Sequence, residues 1–210
     1  MKIAFMGTQC NGKSTLIKGF LKKWPMYKEV NSTYRKLIKT GKIVNNEEGT
    51  EESQRAILNA IIDDTQKAIS KDNEFLVFDR CVIDNIVYSL WLNEKGKVSD
   101  EFIMDSKRIA FEAIKVFDII FYLPLREEIN IVPKKGRATD PVYRQEIDNL
   151  FRAVVGSYEK QLGIFFSKED CPAVITLEGP ADLRIEQIPL YIKSNGKFYG
   201  EEDGSLLANM

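Results

Sequence analysis

A three-layer α/β/α architecture around a central parallel sheet is the fold class that this chain of 210 residues predicts. Three observations predict it. Short apolar runs alternate with segments of helical periodicity along most of the chain. A glycine-rich turn joins the first apolar run directly to the first helical segment. Two later apolar runs end abruptly, one at Asp79 and the other at Pro124, as buried parallel strands do.

The elements follow in order. Residues 2–6, Lys-Ile-Ala-Phe-Met, read as the first and central strand, and 13–24 as a helix stopped by Pro25. A short strand is expected at 27–30 and a helix at 32–39. The polar stretch 42–50, flanked by Gly41 and containing Gly49, reads as loop. Residues 51–70 form a long helix, with Ile57, Leu58, Ile61 and Ile62 on one face. A buried strand at 74–79 precedes helices at 82–93 and 100–116. Another buried strand covers 118–123. Residues 133–140 are basic and contain Gly136, and read as loop before a long helix at 141–166. The last strand is 173–177, and a final helix at 181–193 is interrupted by Pro189. One domain is expected over residues 1–193, with a weakly ordered tail or surface extension at 194–210.

Composition excludes several classes. Thirty basic residues against 31 acidic ones give a net charge of −1, which offers no support for long-range capture of nucleic acid and leaves a local basic groove open. No apolar run reaches membrane-spanning length and no signal peptide is visible, so a cytoplasmic protein is expected. Cys10, Cys81 and Cys171 are odd in number and lack C-x-x-C spacing, which fits a reducing compartment. Histidine is absent, so a general base must be a carboxylate, a lysine or water.

The chemistry begins at Gly7-Thr8-Gln9-Cys10-Asn11-Gly12-Lys13-Ser14, which satisfies G-x-x-x-x-G-K-[ST] at every specified position. A strand, a glycine turn and a helix N-terminus in succession gather backbone amides and the positive end of a helix dipole around one small volume. That volume suits the phosphates of a nucleoside triphosphate. Lys13 has the reach for the β- and γ-phosphates and the Ser14 hydroxyl is a ligand for Mg²⁺. Gly7, Asn11, Gly12 and Thr15 complete the expected nucleotide contacts.

A second signal is Phe75-Leu76-Val77-Phe78-Asp79-Arg80. Four apolar residues would carry Asp79 to the same sheet edge as Lys13. There it can hold Mg²⁺ through water or take the proton of an attacking hydroxyl. Arg80 adds a planar fork for phosphate or sugar oxygens. A third signal is basic: Arg126, Lys134, Lys135, Arg137 and Arg144 surround a glycine-containing loop, and Arg137 and Arg144 suit a lid over the triphosphate, approximately residues 126–145. Weaker candidates are Glu29, Arg35 and Gln54 on the acceptor side. Gln54 either reads a base edge or lies on an exposed helix face. Asp84 and Asn85 are placed to line the cleft, Tyr88 and Trp91 to stack or pack, and Cys10 to make the loop sensitive to oxidation or to be inert.

Together, the phosphate loop, the Asp79-Arg80 strand end and the late arginines resemble the nucleoside and nucleotide kinase branch of P-loop proteins. Thymidylate kinase, deoxynucleoside kinase and nicotinamide riboside kinase are similar small kinases. The resemblance spans about residues 1–177. It implies catalysis and acceptor binding by Asp79 and Arg80, lid roles for Arg137 and Arg144, ATP and Mg²⁺ as cofactors, and a homodimer. Where related kinases place an acidic residue three before an arginine, this chain has Ser32 before Arg35, with Glu29 further upstream. The expected activity is ATP- and Mg²⁺-dependent phosphorylation of a nucleoside or nucleoside monophosphate. Arg35, Gln54, Arg80 and Asp84 are the expected acceptor contacts. One alternative acceptor is a hydroxyl of DNA, on a modified base or a strand end, with the target base flipped into the pocket. The other alternative is a P-loop ATPase switch. A GTPase is disfavoured because neither N-K-x-D nor a D-x-x-G switch is found.

Overall fold

The computed structural model describes residues 1–71, 73–126, 140–162 and 171–199. Five parallel strands form one sheet: β1 (Lys2–Met6), β2 (Lys28–Glu29), β3 (Leu76–Asp79), β4 (Ile119–Tyr122) and β5 (Ala173–Thr176), in the order β2-β3-β1-β4-β5. The first strand is thus central, as its uniformly apolar sequence predicts. Among the described residues seven α-helices surround it: α1 (Lys13–Lys23), α2 (Thr33–Lys39), α3 (Glu51–Ile69), α4 (Val82–Glu94), α5 (Asp100–Ile114), α6 (Pro141–Glu159) and α7 (Ala181–Gln187).

The period of two along β1 explains the three layers. Ile3 and Phe5 enter the core under α1 and α7, with Phe20, Trp24, Val77, Phe121 and Ile188. Ala4 and Met6 enter the larger core under α3 to α6, with Leu58, Phe78, Val87, Ile120 and Phe151. A strand covered on both faces must be apolar at every position, which is why it reads as a continuous run. Register sets the site. Phe5 pairs with Asp79 and Met6 with Tyr122, so Asp79 reaches the carboxyl edge beside the start of the glycine loop.

Several boundaries differ from the expected ones. Helix α6 ends at Glu159, where Gln161 turns into positive φ (55°); residues 163–166 of the longer expected helix lie outside the described residues. Pro189 ends α7 at Gln187 and leaves a 3-10 turn at Ile188–Leu190. A second 3-10 turn, Asn46–Glu48, occupies the polar loop. The first residues of the expected tail or surface extension lie against the domain. Ile192 bridges Phe198, Tyr27 donates its hydroxyl hydrogen to the Gly196 carbonyl at 2.6 Å, and Trp24 Nε1 donates to the Lys193 carbonyl. Aromatic anchors far upstream hold this turn, and residues 200–210 lie outside the described residues. None of the three cysteines is in a disulfide. Among the described residues no helix is long and apolar enough to cross a membrane.

Candidate active site

The glycine loop wraps the carboxyl end of β1. Gly7 (φ 135°), Cys10 (φ 60°) and Gly12 (φ 90°) all take positive φ, and Gly12 caps α1. Gly7 is required for space as well as angle. A Cβ there would sit 2.8 Å from Asn11 Nδ2 and closer still to the Leu123 carbonyl. Asn11 Nδ2 donates to that same carbonyl at 2.6 Å, tying the loop to the end of β4.

Several carbonyls of the loop are held by cations. Lys13 is buried and donates to the Gly7 carbonyl, to the Thr8 carbonyl at 2.7 Å and to Asn11 Oδ1 at 3.3 Å. Burial, with Arg80 nearby, pushes its amine from 10.5 down to about 7. Arg144 from α6 donates to the Cys10 carbonyl at 3.3 Å, and Arg184 from α7 to the Asn11 carbonyl at 3.1 Å and the Pro124 carbonyl at 2.7 Å. With the Gly7 amide given to Asp84 and the Gln9 amide to Tyr88, the remaining loop amides and the N-terminus of α1 are what the loop offers an anion.

Opposite the loop, Ser14 donates from Oγ to Asp79 Oδ2 at 3.0 Å, and Arg35 pairs with the same oxygen. Asp79 is buried, and its Oδ1 has no hydrogen-bond partner. Arg80 adopts positive φ (92°), lies 3.6 Å from Asp84 and stacks its guanidinium over the Tyr88 ring at 5.1 Å. Asp84 is 1% exposed and already committed: its carboxylate accepts from the Gly7 amide at 3.2 Å and the Cys81 amide at 3.0 Å, capping α4. Burial pushes its carboxyl up, against the pull of Arg80 and Lys13. It joins the loop to α4 rather than standing open to a substrate.

A cleft opens beside Asp79 and Arg80, walled by Val30, Ser32, Tyr34, Asp64 and Phe78 among others. Arg35 reaches its edge through Asp79. Glu29 is exposed on β2 and is not part of that wall. Gln54 is not on an exposed face. It is 2% exposed, and its Oε1 accepts from Asn85 Nδ2 at 2.9 Å and from Ser89 Oγ at 3.5 Å. Asn85 Oδ1 is left buried without a partner. Tyr88 accepts from the Gln9 amide, and Trp91 donates to Glu146 and packs edge-on against Tyr143. Cys10 is half-buried. Thr15 is exposed at the start of α1. Arg137 and the lid segment 127–139 lie outside the described residues.

Two residues that sequence reasoning passed over complete the site. Asp148 on α6 is fully buried and accepts from Thr8 Oγ1 (3.2 Å), Tyr122 OH (3.0 Å), the Leu125 amide (2.8 Å) and Arg152 Nε (2.8 Å). Arg184 is 2% exposed on a short helix. Neither belongs to a local motif, and their partners lie up to 140 and 173 residues away.

The donor set fits a hard divalent cation. Ser14 Oγ and the Asp79 carboxylate are adjacent oxygens, and one carboxylate oxygen is unpartnered. The arrangement combines an anion cradle, a hydroxyl–carboxylate pair and two arginines at one sheet edge, which is what transfer of a charged group between two bound molecules needs.

The profile of the AAA domain family matches residues 2–165. No curated protein matches the sequence. Among solved structures, deoxyadenosine kinase from M. mycoides with products dCMP and a flexible dCDP superposes with a TM-score of 0.60 at 20% identity, covering 90% of this chain and 96% of that one. NadR protein in complex with NR superposes at 0.65 and 14% identity, covering 96% of this chain and 54% of the NadR chain, so this chain spans about half of that protein. NadR in complex with NAD and AMP-PNP gives 0.60 at 14% identity. At these identities the likeness is one of fold.

Proposed function

This chain belongs to the AAA domain family, and we propose that within it the protein is an ATP- and Mg²⁺-dependent phosphotransferase acting on a hydroxyl of a nucleoside or nucleoside monophosphate. The observation that carries the reading is the Ser14–Asp79 hydrogen bond at the mouth of a complete phosphate loop, with Arg35 and Arg80 beside it. The shared fold with a deoxyadenosine kinase bound to nucleotide products supports it.

The residues divide the work. Loop amides, with the α1 dipole behind them, bind the triphosphate. Lys13 exchanges its carbonyl partners for phosphate oxygens, which restores its full charge. Ser14 and Asp79 would hold Mg²⁺, which when bound draws charge from the phosphates and the leaving group. Asp79 Oδ1 takes the proton of the acceptor hydroxyl. A new O–P bond forms at that hydroxyl oxygen as the bond from the γ-phosphorus to the β–γ bridging oxygen breaks, and ADP leaves. Arg80 and Arg35 hold the acceptor, and Arg144, with Arg137 from the lid, neutralises charge on the transferred group. Asn85 Oδ1, the unpartnered end of the Gln54–Asn85 pair, offers an acceptor for a base edge.

The test is ATP-to-ADP turnover with Mg²⁺ against a panel of nucleosides and nucleoside monophosphates, with Lys13→Ala and Asp79→Asn beside the native chain. Acceptor-dependent turnover lost in both variants is expected. ATP loss that is equal with and without every acceptor would refute the reading and favour an ATPase.

A further inference from the structure

Resting on the kinase reading above, we infer that the nucleoside unit entering the cleft is carried on a single-stranded nucleic acid, whose flanking phosphates lie along a cationic row on α2. The whole-chain charge of −1 conceals a strong segregation. Residues 1–46 hold ten lysines and arginines and a single carboxylate, Glu29. Within that region, α2 is the element that touches the site, because Arg35 pairs with Asp79 and Tyr34 lines the cleft. The helix contains no acidic residue, and its first turn has none to complement the dipole.

From Arg35 the charge continues outward. Lys39 follows at i+4 and Lys36 at i+3 before Lys39, so the three share one flank of the helix. Lys42 is folded back against the same end. Gly41 takes positive φ (71°), its amide bonds to the Ile38 carbonyl, and the Lys42 amide bonds to the Leu37 carbonyl at 3.1 Å, a Schellman closure. Lys36, Lys39 and Lys42 are exposed and, among the described residues, none forms an ion pair. Asp64 on the neighbouring helix is engaged by the amide and hydroxyl of Thr33.

Two lysines in a last turn gain something from the helix dipole, but like charges at i+3 and i+4 cost a comparable amount. A row of three unpaired lysines beyond an arginine that reaches the catalytic carboxylate therefore has a better account as a phosphate track. A free nucleoside or monophosphate has no charge to place one and two turns outside the cleft. A strand does. Tyr34 and Phe78 in the cleft wall belong to the core, so what favours a strand over an acidic peptide is the nucleoside that the kinase reading requires in the cleft. The hydroxyl phosphorylated would belong to the unit in the cleft, with its proton passing to Asp79 and ADP leaving as above.

Fluorescence anisotropy of a labelled single-stranded oligonucleotide of about 12 nucleotides tests this with the full chain. Three lysine–phosphate contacts predict a log–log salt slope near −2, so binding weakens about 20-fold between about 50 and about 200 mM salt. The triple variant Lys36→Gln, Lys39→Gln, Lys42→Gln should lose that slope and bind at least about 10-fold more weakly at the lower salt, with unchanged melting and unchanged turnover on free nucleosides. No oligonucleotide binding at low salt overturns the inference. So does a triple variant that binds as the native chain does, or polyglutamate that competes as well as the strand. Failure of ATP turnover with every acceptor would instead refute the kinase reading, because strand binding is read without catalysis.

Discussion

Arg184→Gln should damage the phosphate loop from behind. The native guanidinium is 2% exposed and donates to Asn11 and Pro124 carbonyls. Hydrogen bonds from a charged donor contribute roughly 1.5–3 kcal/mol each, and an orphaned buried carbonyl costs about 1–3 kcal/mol. Against this, removing a buried cation recovers its desolvation cost, several kcal/mol. No ion pair of Arg184 offsets that cost among the described residues, so the two terms oppose one another closely. We expect a net destabilisation of roughly 2 kcal/mol, or about 4–8 °C in melting temperature for a domain of this size. The larger effect should be on the nucleotide. Once the Asn11 peptide can rotate, one inward amide is lost to the phosphates, worth about 10- to 150-fold in ATP affinity. Melting with and without saturating ATP, together with titration of a fluorescent ATP analogue, separates the two. A variant that melts lower but binds ATP like the native chain would show Arg184 to be a core anchor alone. One that melts and binds as before would refute the reasoning entirely.

Other perturbations probe the same machinery. Lys13 should gain a proton when ATP binds. With its amine near 7 when free and fully charged among phosphates, uptake should approach one proton at about pH 8 and vanish near pH 5. Calorimetry in buffers of different ionisation enthalpy measures this, and equal heats after buffer correction for zero protons would contradict it. Between about pH 7 and 10.5 the unfolded lysine holds a proton that the nucleotide-free folded one lacks, so this group adds stability as pH rises through that window. Asp148→Asn replaces a four-fold acceptor with an amide that must turn its NH₂ toward donors; urea unfolding should show a loss of roughly 2–4 kcal/mol. Gly7→Ala forces a Cβ against Asn11 and the Leu123 carbonyl at positive φ, and should weaken ATP binding about 10- to 100-fold by the same titration.

What was legible in the sequence was local. The loop from Gly7 to Ser14 states its backbone requirements in its glycines, and the strands state their two-sided burial by lacking polar residues. Asp79 could be placed because a strand end followed four apolar residues. Gln54 could not, since the exposed and buried flanks of α3 both carry polar residues, and only the tertiary contact with Asn85 decides between them. Arg184 sits in a short helix of mixed polarity, where an arginine ordinarily reads as solvent-facing. Asp148 lies amid a helix otherwise patterned for the core, and its four donors come from two distant segments, the glycine loop and the end of β4, and from the next turn of its own helix. The cationic row was visible as individual lysines, but its meaning depends on Arg35 bridging α2 to Asp79.

Lys13 is folded onto its own loop. The ammonium has taken the carbonyls of Gly7 and Thr8 and the amide oxygen of Asn11, so an arriving anion competes with these three acceptors before it gains the lysine. A single orthophosphate offers little to outbid them, while a triphosphate brings several oxygens along the whole loop at once. The loop thereby acts as a threshold device. It should ignore the small anions abundant in any cell and respond to a ligand long enough to engage amides and lysine together, which converts a binding preference into a discrimination by length.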